Sequence, residues 1–124
     1  MNSILIIEDE LALLEMYRTK FLLEKFTVNT ATDGQEGIDK MRLFKPDIVI
    51  LDLMMKKVSG FDVLKVVKDD ATINKIPILI LTNIFADVED LLKNWGARDF
   101  ILKSNSTPND VVKRVKQILG EKSV

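Results

Sequence analysis

The stretch Pro46-Asp47-Ile48-Val49-Ile50-Leu51-Asp52-Leu53-Met54-Met55 decides how this chain folds. Ile48 to Leu51 is too short a run for a helix and does not alternate with polar residues. Mostly β-branched and bounded by carboxylates, it reads as a strand covered on both faces, as in the middle of a parallel sheet. Working outward, Ile4 to Ile7, Ile78 to Leu81 and the weaker Phe100 to Leu102 share this character. Phe26 to Ala31 alternates instead, with Phe26, Val28 and Thr30 set against Thr27, Asn29 and Ala31, which suits a half-exposed edge strand.

Between the strands the apolar period becomes helical. Leu11, Leu14, Tyr17 and Phe21 share a face behind Asp9, the expected N-cap. Ile38, Met41 and Phe44 share another, which ends before Pro46. Phe61, Leu64 and Val67 follow the helix start Ser59-Gly60. Val88, Leu91, Leu92 and Trp95 precede Gly96, a residue suited to the left-handed conformation past a helix end. In the last helix Thr107 is the expected N-cap, Pro108 the first helical residue and Asp110 the partner of a capping box. Its stripe of Val111, Val112, Val115, Ile118 and Leu119 is expected to stop at Gly120. Five β-α units with short connections imply right-handed crossovers. The fold class is α/β, a doubly wound five-stranded parallel sheet with five helices on its two faces. A chain of 124 residues suffices for one core, so 1–124 is expected to be a single domain.

Composition removes many chemistries. With no Cys there is no disulfide, thiolate nucleophile or iron–sulfur cluster, and with no His there is no imidazole base. Eighteen basic and 19 acidic residues leave a net charge of -1, without the basic excess that direct nucleic-acid binding requires. No apolar run approaches the roughly 20 residues of a membrane span. The N-terminus lacks the basic region of a signal peptide, so a cytoplasmic location is expected.

Ligands of such sheets sit at the carboxyl ends of the strands. Those ends carry Glu8-Asp9-Glu10, Asp52, Thr82-Asn83 and Lys103-Ser104. Carboxylates gathered there repel unless a cation lies among them, and Mg²⁺ suits an all-oxygen site. A Lys and a Thr opposite are donors for phosphoryl oxygens, and phosphoryl transfer is largely positioning and charge neutralisation. Each feature also has a plainer reading: acids at a helix N-terminus, a strand Thr, a surface Lys. Asp52 is the hardest to read that way, because it closes an apolar run where a lone carboxylate is poorly solvated.

Four segments in order carry a resemblance: Ile-Leu-Ile-Ile-Glu-Asp-Glu from residue 4, Pro46 to Met55 with Gly60-Phe-Asp following, Pro77-Ile-Leu-Ile-Leu-Thr, and Gly96-Ala-Arg-Asp-Phe-Ile-Leu-Lys. From about Ser3 to Leu119 the chain resembles the receiver domain of a bacterial two-component response regulator, of the stand-alone chemotaxis-regulator type. The resemblance implies a flavodoxin-like (βα)5 fold with strand order 2-1-3-4-5. It implies that Asp52 accepts a phosphoryl group from a histidine kinase or phosphotransfer protein. Mg²⁺ is then held by Asp9 directly, by Glu8 through water, by Asp52 and by the backbone carbonyl of Met54. Lys103 pairs with the phosphoryl oxygens, Thr82 is the switch hydroxyl and Phe100 the switch aromatic. Phosphorylation changes the surface of the fourth helix, fifth strand and fifth helix, which a downstream effector protein reads. The chain is then a phosphoacceptor with slow self-dephosphorylation and no effector domain, not an enzyme. Lys93, Asp99 and Arg114 match a charged set that some members use for a homodimer across that face.

The departures carry expectations of their own. Ser104 stands where the family usually has a Pro after a cis bond. A cis bond to another residue costs ~2.5–4 kcal/mol, so a trans or rearranged loop is expected after Lys103. Lys56-Lys57 replaces a frequent Pro, and the pair either attracts an acidic partner or is simply solvated. Asn83 is larger than the usual small residue and is expected to narrow access to Asp52. Met54 and Ile84 stand where polar groups in some members orient water, so a long-lived phosphoryl state is expected. Phe100 also reads as a core residue under the fifth helix. Three rivals stay open. A phosphate-monoester hydrolase would use Asp52 as nucleophile, with Met54 where its acid/base Asp belongs. A flavodoxin-like mononucleotide binder would have an acidic first loop facing phosphate. A receiver-like interaction module that is never phosphorylated would accommodate Asn83 and Ser104.

Overall fold

In the computed structural model, residues 2–83 and 87–122 are described, with side chains through residue 120. The apolar runs become β1 (Ser3–Ile7), β2 (Thr27–Ala31), β3 (Ile48–Leu51), β4 (Ile78–Thr82) and β5 (Asp99–Leu102). They alternate with α1 (Leu11–Leu23), α2 (Gly34–Phe44), α3 (Gly60–Lys68), α4 (Val88–Lys93) and α5 (Pro108–Lys122). All five strands are parallel, in the order β2-β1-β3-β4-β5, so the alternating segment is an edge strand as expected.

Strand parity divides the interior in two. Ile4, Ile6, Ile48, Ile50, Leu79, Leu81 and Ile101 face Leu14, Tyr17 and Phe21 of α1 and Val111, Val115 and Ile118 of α5. Leu5, Ile7, Val49, Leu51, Ile78 and Ile80 face α2, α3 and α4 through Ile38, Met41, Val63, Leu64, Val67 and Leu91. Both faces of each central strand are thus covered, which is why those segments carry no polar alternation.

The register fixes the working edge. Ile7 lies opposite Leu51, so Glu8 and Asp52 leave the sheet at the same level. Thr82 lies opposite Leu102, one residue before Lys103. The ladder runs past the strand ends through Glu8 N–H to Ala31 O (3.0 Å) and Asp52 N–H to Ile7 O (3.1 Å).

Capping boxes form at both expected starts, Ser59 with Asp62 and Thr107 with Asp110. Gly96 takes the left-handed conformation, at φ 79°. Some local expectations are corrected. The N-cap of α1 is Glu10, without a side-chain bond, because the Asp9 carboxylate is engaged by the Lys56 N–H instead. Leu11 is exposed, about a quarter-turn off the arc centred on Leu14, Tyr17 and Phe21. Phe44 is half exposed, since the chain turns away through left-handed Lys45 (φ 45°). Phe26 precedes β2 and meets Phe21 edge-on at 5.1 Å. Helix α5 continues through Gly120 to Lys122, because a helical Gly costs only about 1 kcal/mol and no Pro follows it. Among the described residues no helix is long and apolar enough to cross a membrane.

Candidate functional site

Glu8 and Asp52 are almost fully buried, at 4% and 5% exposure, and Asp9 is half-buried beside them. One carboxylate oxygen from each of the three lies within 4.8 Å of the others. Backbone donors hold each group in place. Glu10 N–H donates to Glu8 Oε2 (3.2 Å), Met54 N–H to Asp52 Oδ1 (3.1 Å) and Lys56 N–H to Asp9 Oδ2 (3.2 Å). The connection after β3 thus orients two of the three acids through its own amides.

That connection is itself pinned. Gly60 N–H donates to Leu53 O at 3.1 Å, and a Cβ on Gly60 would lie 2.3 Å from Asp52 O. Gly34 lies equally close to the other limb, where a Cβ would be 2.2 Å from Val58 O. Val58, a β-branched residue, is left-handed at φ 48°, a conformation that costs on the order of 1–3 kcal/mol. Gly34 and Val58 are functional neighbours of the site that the apolar pattern does not mark. The signal available was a Gly directly after the N-cap Asp33, where helix geometry alone asks for none.

Lys103 supplies the charge that lets these acids be buried together. Its ammonium donates to Glu8 Oε1 and, at 3.3 Å, to Asp52 Oδ2. Burial pushes the Glu8 carboxyl above its ordinary value, with the Lys103 hydrogen bond pulling the other way. Burial alone would lower Lys103, but the hydrogen bond to Glu8 and the charges of Asp52 and Glu8 outweigh it and hold the ammonium above its usual range. Lys103 therefore stays charged at neutral pH. The donor set is all hard oxygen, with neither imidazole nor thiolate, which fits Mg²⁺. Thr82 is fully buried at the end of β4. Beside the acids, Asp9, Glu10, Thr32, Asp33, Lys56 and Lys57 line a cleft of about 570 Å³ that gives access to this edge.

Residues 4–116 match the family model of the response regulator receiver domain. The chain belongs to this family. It is 32% identical to the alkaline phosphatase synthesis transcriptional regulatory protein PhoP of Bacillus subtilis, over 99% of this chain and 50% of that protein. It is also 32% identical to the probable transcriptional regulator ycf27 of Guillardia theta, over 95% and 45%. The chain thus spans about half the length of several curated relatives it matches. The polar-differentiation response regulator DivK of Brucella anthropi matches nearly end to end, at 27% identity over 97% of this chain and 98% of its own. Among solved structures, the chemotaxis protein CheY4 of Vibrio cholerae superposes with a TM-score of 0.85 at 25% identity, covering 94% of this chain and 98% of that one. Receiver domains of two-component response regulators are phosphorylation-dependent signalling domains that bind Mg²⁺ at an acidic pocket and work with histidine kinases or phosphotransfer proteins and effectors.

The other expected residues of the receiver domain fall as follows. No peptide bond among the described residues is cis, and Lys103 opens a 3-10 turn, Lys103–Asn105, in keeping with the expected rearrangement. The Asn83 amide oxygen accepts the Ser104 N–H at 2.9 Å. Phe100 is half-buried, but it packs against the α2-α3-α4 layer, and Ile101 faces α5 instead. The expected packing of Phe100 under α5 is thereby corrected, because adjacent strand residues point to opposite faces. Met54 is 63% exposed and Lys56 and Lys57 are exposed. Arg114 pairs with Asp99 at 2.8 Å and Lys93 with Glu89 at 2.7 Å, both within the chain. Ile84 lies outside the described residues.

Proposed function

We propose that this receiver is a phosphorylation switch in which the Asp52 carboxylate takes a phosphoryl group from the phosphohistidine of a kinase or phosphotransfer protein. The observation that carries this reading is the bridge from one half-buried ammonium, Lys103, to both Glu8 and Asp52 at the carboxyl edge of the sheet. A carboxylate so placed is oriented and paired with a cation that can transfer its hydrogen bonds to an incoming anion. Glu8, Asp9, Asp52 and the Met54 carbonyl would hold Mg²⁺. When bound, Mg²⁺ supplies positive charge against the phosphoryl oxygens.

In the transfer, an Asp52 oxygen forms the new bond to phosphorus while the bond to the donor's imidazole nitrogen breaks, and the imidazole keeps that electron pair. The Met54 N–H holds Asp52 in line. Lys103 follows the negative charge onto the phosphoryl group. The Thr82 hydroxyl then turns toward the new acceptor oxygens, and Phe100 moves into the space it leaves, which changes the surface of α4, β5 and α5 that an effector protein reads. Arg114, Asp99 and Lys93 supply charges for a two-fold contact between copies across that face. The apolar Met54 side chain cannot orient water, so the aspartyl phosphate is long-lived and its self-hydrolysis slow. The switch uses residues 1–124 as one receiver unit and works in the cytoplasm.

The test is to incubate the protein with Mg²⁺ and acetyl phosphate and weigh it intact. A stable gain of one phosphoryl group, absent in Asp52→Ala, is the expected result. Consumption of donor without a covalent gain would point to a hydrolase. No reaction at all would point to an interaction module that is never phosphorylated. Loss of the label within seconds would refute the long-lived state.

A further inference from the structure

The peptide group that joins Lys103 to Ser104 is held at both ends. Its carbonyl, Lys103 O, accepts from Ser106 N (3.3 Å) and from the Ser106 hydroxyl (3.4 Å). Its N–H, that of Ser104, donates to Asn83 Oδ1 at 2.9 Å. Asn83 directly follows Thr82, and Thr82 is paired across the sheet with Leu102, so a side chain from the end of β4 reaches the first residue past Lys103. The two bonds differ in origin. The Ser106 contacts belong to the 3-10 turn itself, whereas the Asn83 contact ties that turn to the neighbouring strand.

The tie matters because of what Lys103 has to reach. Its ammonium meets Glu8 and Asp52 at the end of a flexible four-carbon stem, and those acids leave β1 and β3, three and two strands away across the sheet from β5, which Lys103 follows. A stem that long loses aim if the backbone at its base pivots, and misplacement by about 1 Å can cost on the order of 100-fold in a positioned reaction. A peptide plane hydrogen-bonded at both ends cannot rotate without breaking a bond. The Asn83 contact also requires an N–H at position 104, which Ser has and Pro lacks.

We propose that Asn83 is a positioning residue for Lys103, acting through the Ser104 amide to fix the direction in which the lysine enters the acidic cluster. This rests on the reading of Lys103 as the phosphoryl-pairing cation. It gives Asn83 a task on the far side of the Thr82 switch position, and it makes residues 83 and 104 a matched pair. The Ser104 hydroxyl has no part in it.

The experiment uses the full chain, labelled with ¹⁵N, as wild type, Asn83→Ala, Asn83→Asp and Ser104→Ala. Hydrogen exchange of the Ser104 amide and the ¹⁵Nζ resonance of the Lys103 ammonium are followed by NMR. Uptake of phosphoryl from acetyl phosphate with Mg²⁺ is followed by intact mass. Loss of one net hydrogen bond should speed Ser104 exchange about fivefold in Asn83→Ala, shift the Lys103 resonance and slow uptake by a similar factor. Asn83→Asp keeps the acceptor oxygen and should restore exchange and uptake to within about twofold of wild type. Ser104→Ala should match wild type in all three. Unchanged Ser104 exchange and an unmoved Lys103 resonance in Asn83→Ala would overturn the proposal, as would a defect in Ser104→Ala as large as that in Asn83→Ala. If even the wild type takes up no phosphoryl group, the phosphoacceptor reading fails, and the two NMR signals still decide whether Asn83 aims Lys103.

Discussion

Replacing Gly60 by Ala should damage stability and site together. Built on the present backbone, the new methyl carbon would lie 2.3 Å from Asp52 O, 2.6 Å from Leu53 Cα and 2.9 Å from Asp52 C. All three are backbone atoms, so no side chain can swing aside. Ordinary contact begins at 3.4 Å, which requires the start of α3 to retreat from β3 by about 1 Å. Ala should gain about 1 kcal/mol over Gly from helix propensity, less at the first helical position. Against that stand overpacking strain of about 1–3 kcal/mol and weakening of the bond from Gly60 N–H to Leu53 O, worth about 1 kcal/mol. The balance is a net loss of about 1–3 kcal/mol, read as a lower urea midpoint with an unchanged slope. Phosphoryl uptake tests the second half. A shift of Asp52 approaching 1 Å should slow uptake from acetyl phosphate by roughly 10- to 100-fold, even in buffer where the variant is fully folded. A Gly60→Ala protein as stable as wild type and phosphorylated at the same rate would show that α3 does not press on Asp52.

Three further substitutions probe other parts of the argument. Gly120→Ala places a methyl group where nothing lies within 4 Å, so it should raise stability by about 0.5–1 kcal/mol, and a fall in the urea midpoint would contradict the helical course of α5 there. Lys103→Met leaves Glu8 and Asp52 buried without their shared cation and should cost about 3–5 kcal/mol at neutral pH without Mg²⁺; a loss under 1 kcal/mol would mean that solvent already screens the cluster. Asp70 is held down to about 2 by hydrogen bonds from the Thr72 hydroxyl and N–H and then from Arg42, below its ordinary 3.8. A carboxyl depressed in the folded state contributes stability above its ordinary value and loses it as pH falls toward the folded value. The gap in urea midpoint between wild type and Asp70→Asn should therefore be full at pH 6 and nearly gone by about pH 2, and a gap constant over that range would refute the assignment.

The strands and their carboxyl-end residues were legible because burial on both faces leaves a plain mark, an unbroken apolar run ending in charge. Asp52 stands out for that reason alone. The pairing order is another matter: no periodicity states that β3 lies between β1 and β4, and only the resemblance supplied it. Helix α1 is apolar nearly all round, from Leu11 to Leu23, so spacing could not separate exposed Leu11 from the buried arc. The neighbours of Phe100 are not legible in the sequence, because a strand only four residues long does not reveal which parity faces which helices. The contact between Asn83 and Ser104 lies beyond one-dimensional reading, since it joins a side chain to a backbone amide 21 positions later. Gly34 is a milder case, a visible oddity whose cause, the carbonyl of Val58, appears only in three dimensions.

The bond between Lys103 and Glu8 spans 95 residues, nearly the whole chain. During synthesis the ribosome delivers the three acids first and their counter-charge last. A nascent chain that has emerged only through β4 holds Glu8, Asp9 and Asp52 with no ammonium to set against them, so the same repulsion that Lys103 later relieves keeps that edge from closing. The acidic edge therefore becomes charge-balanced late, after β5, the strand just before Lys103, has docked.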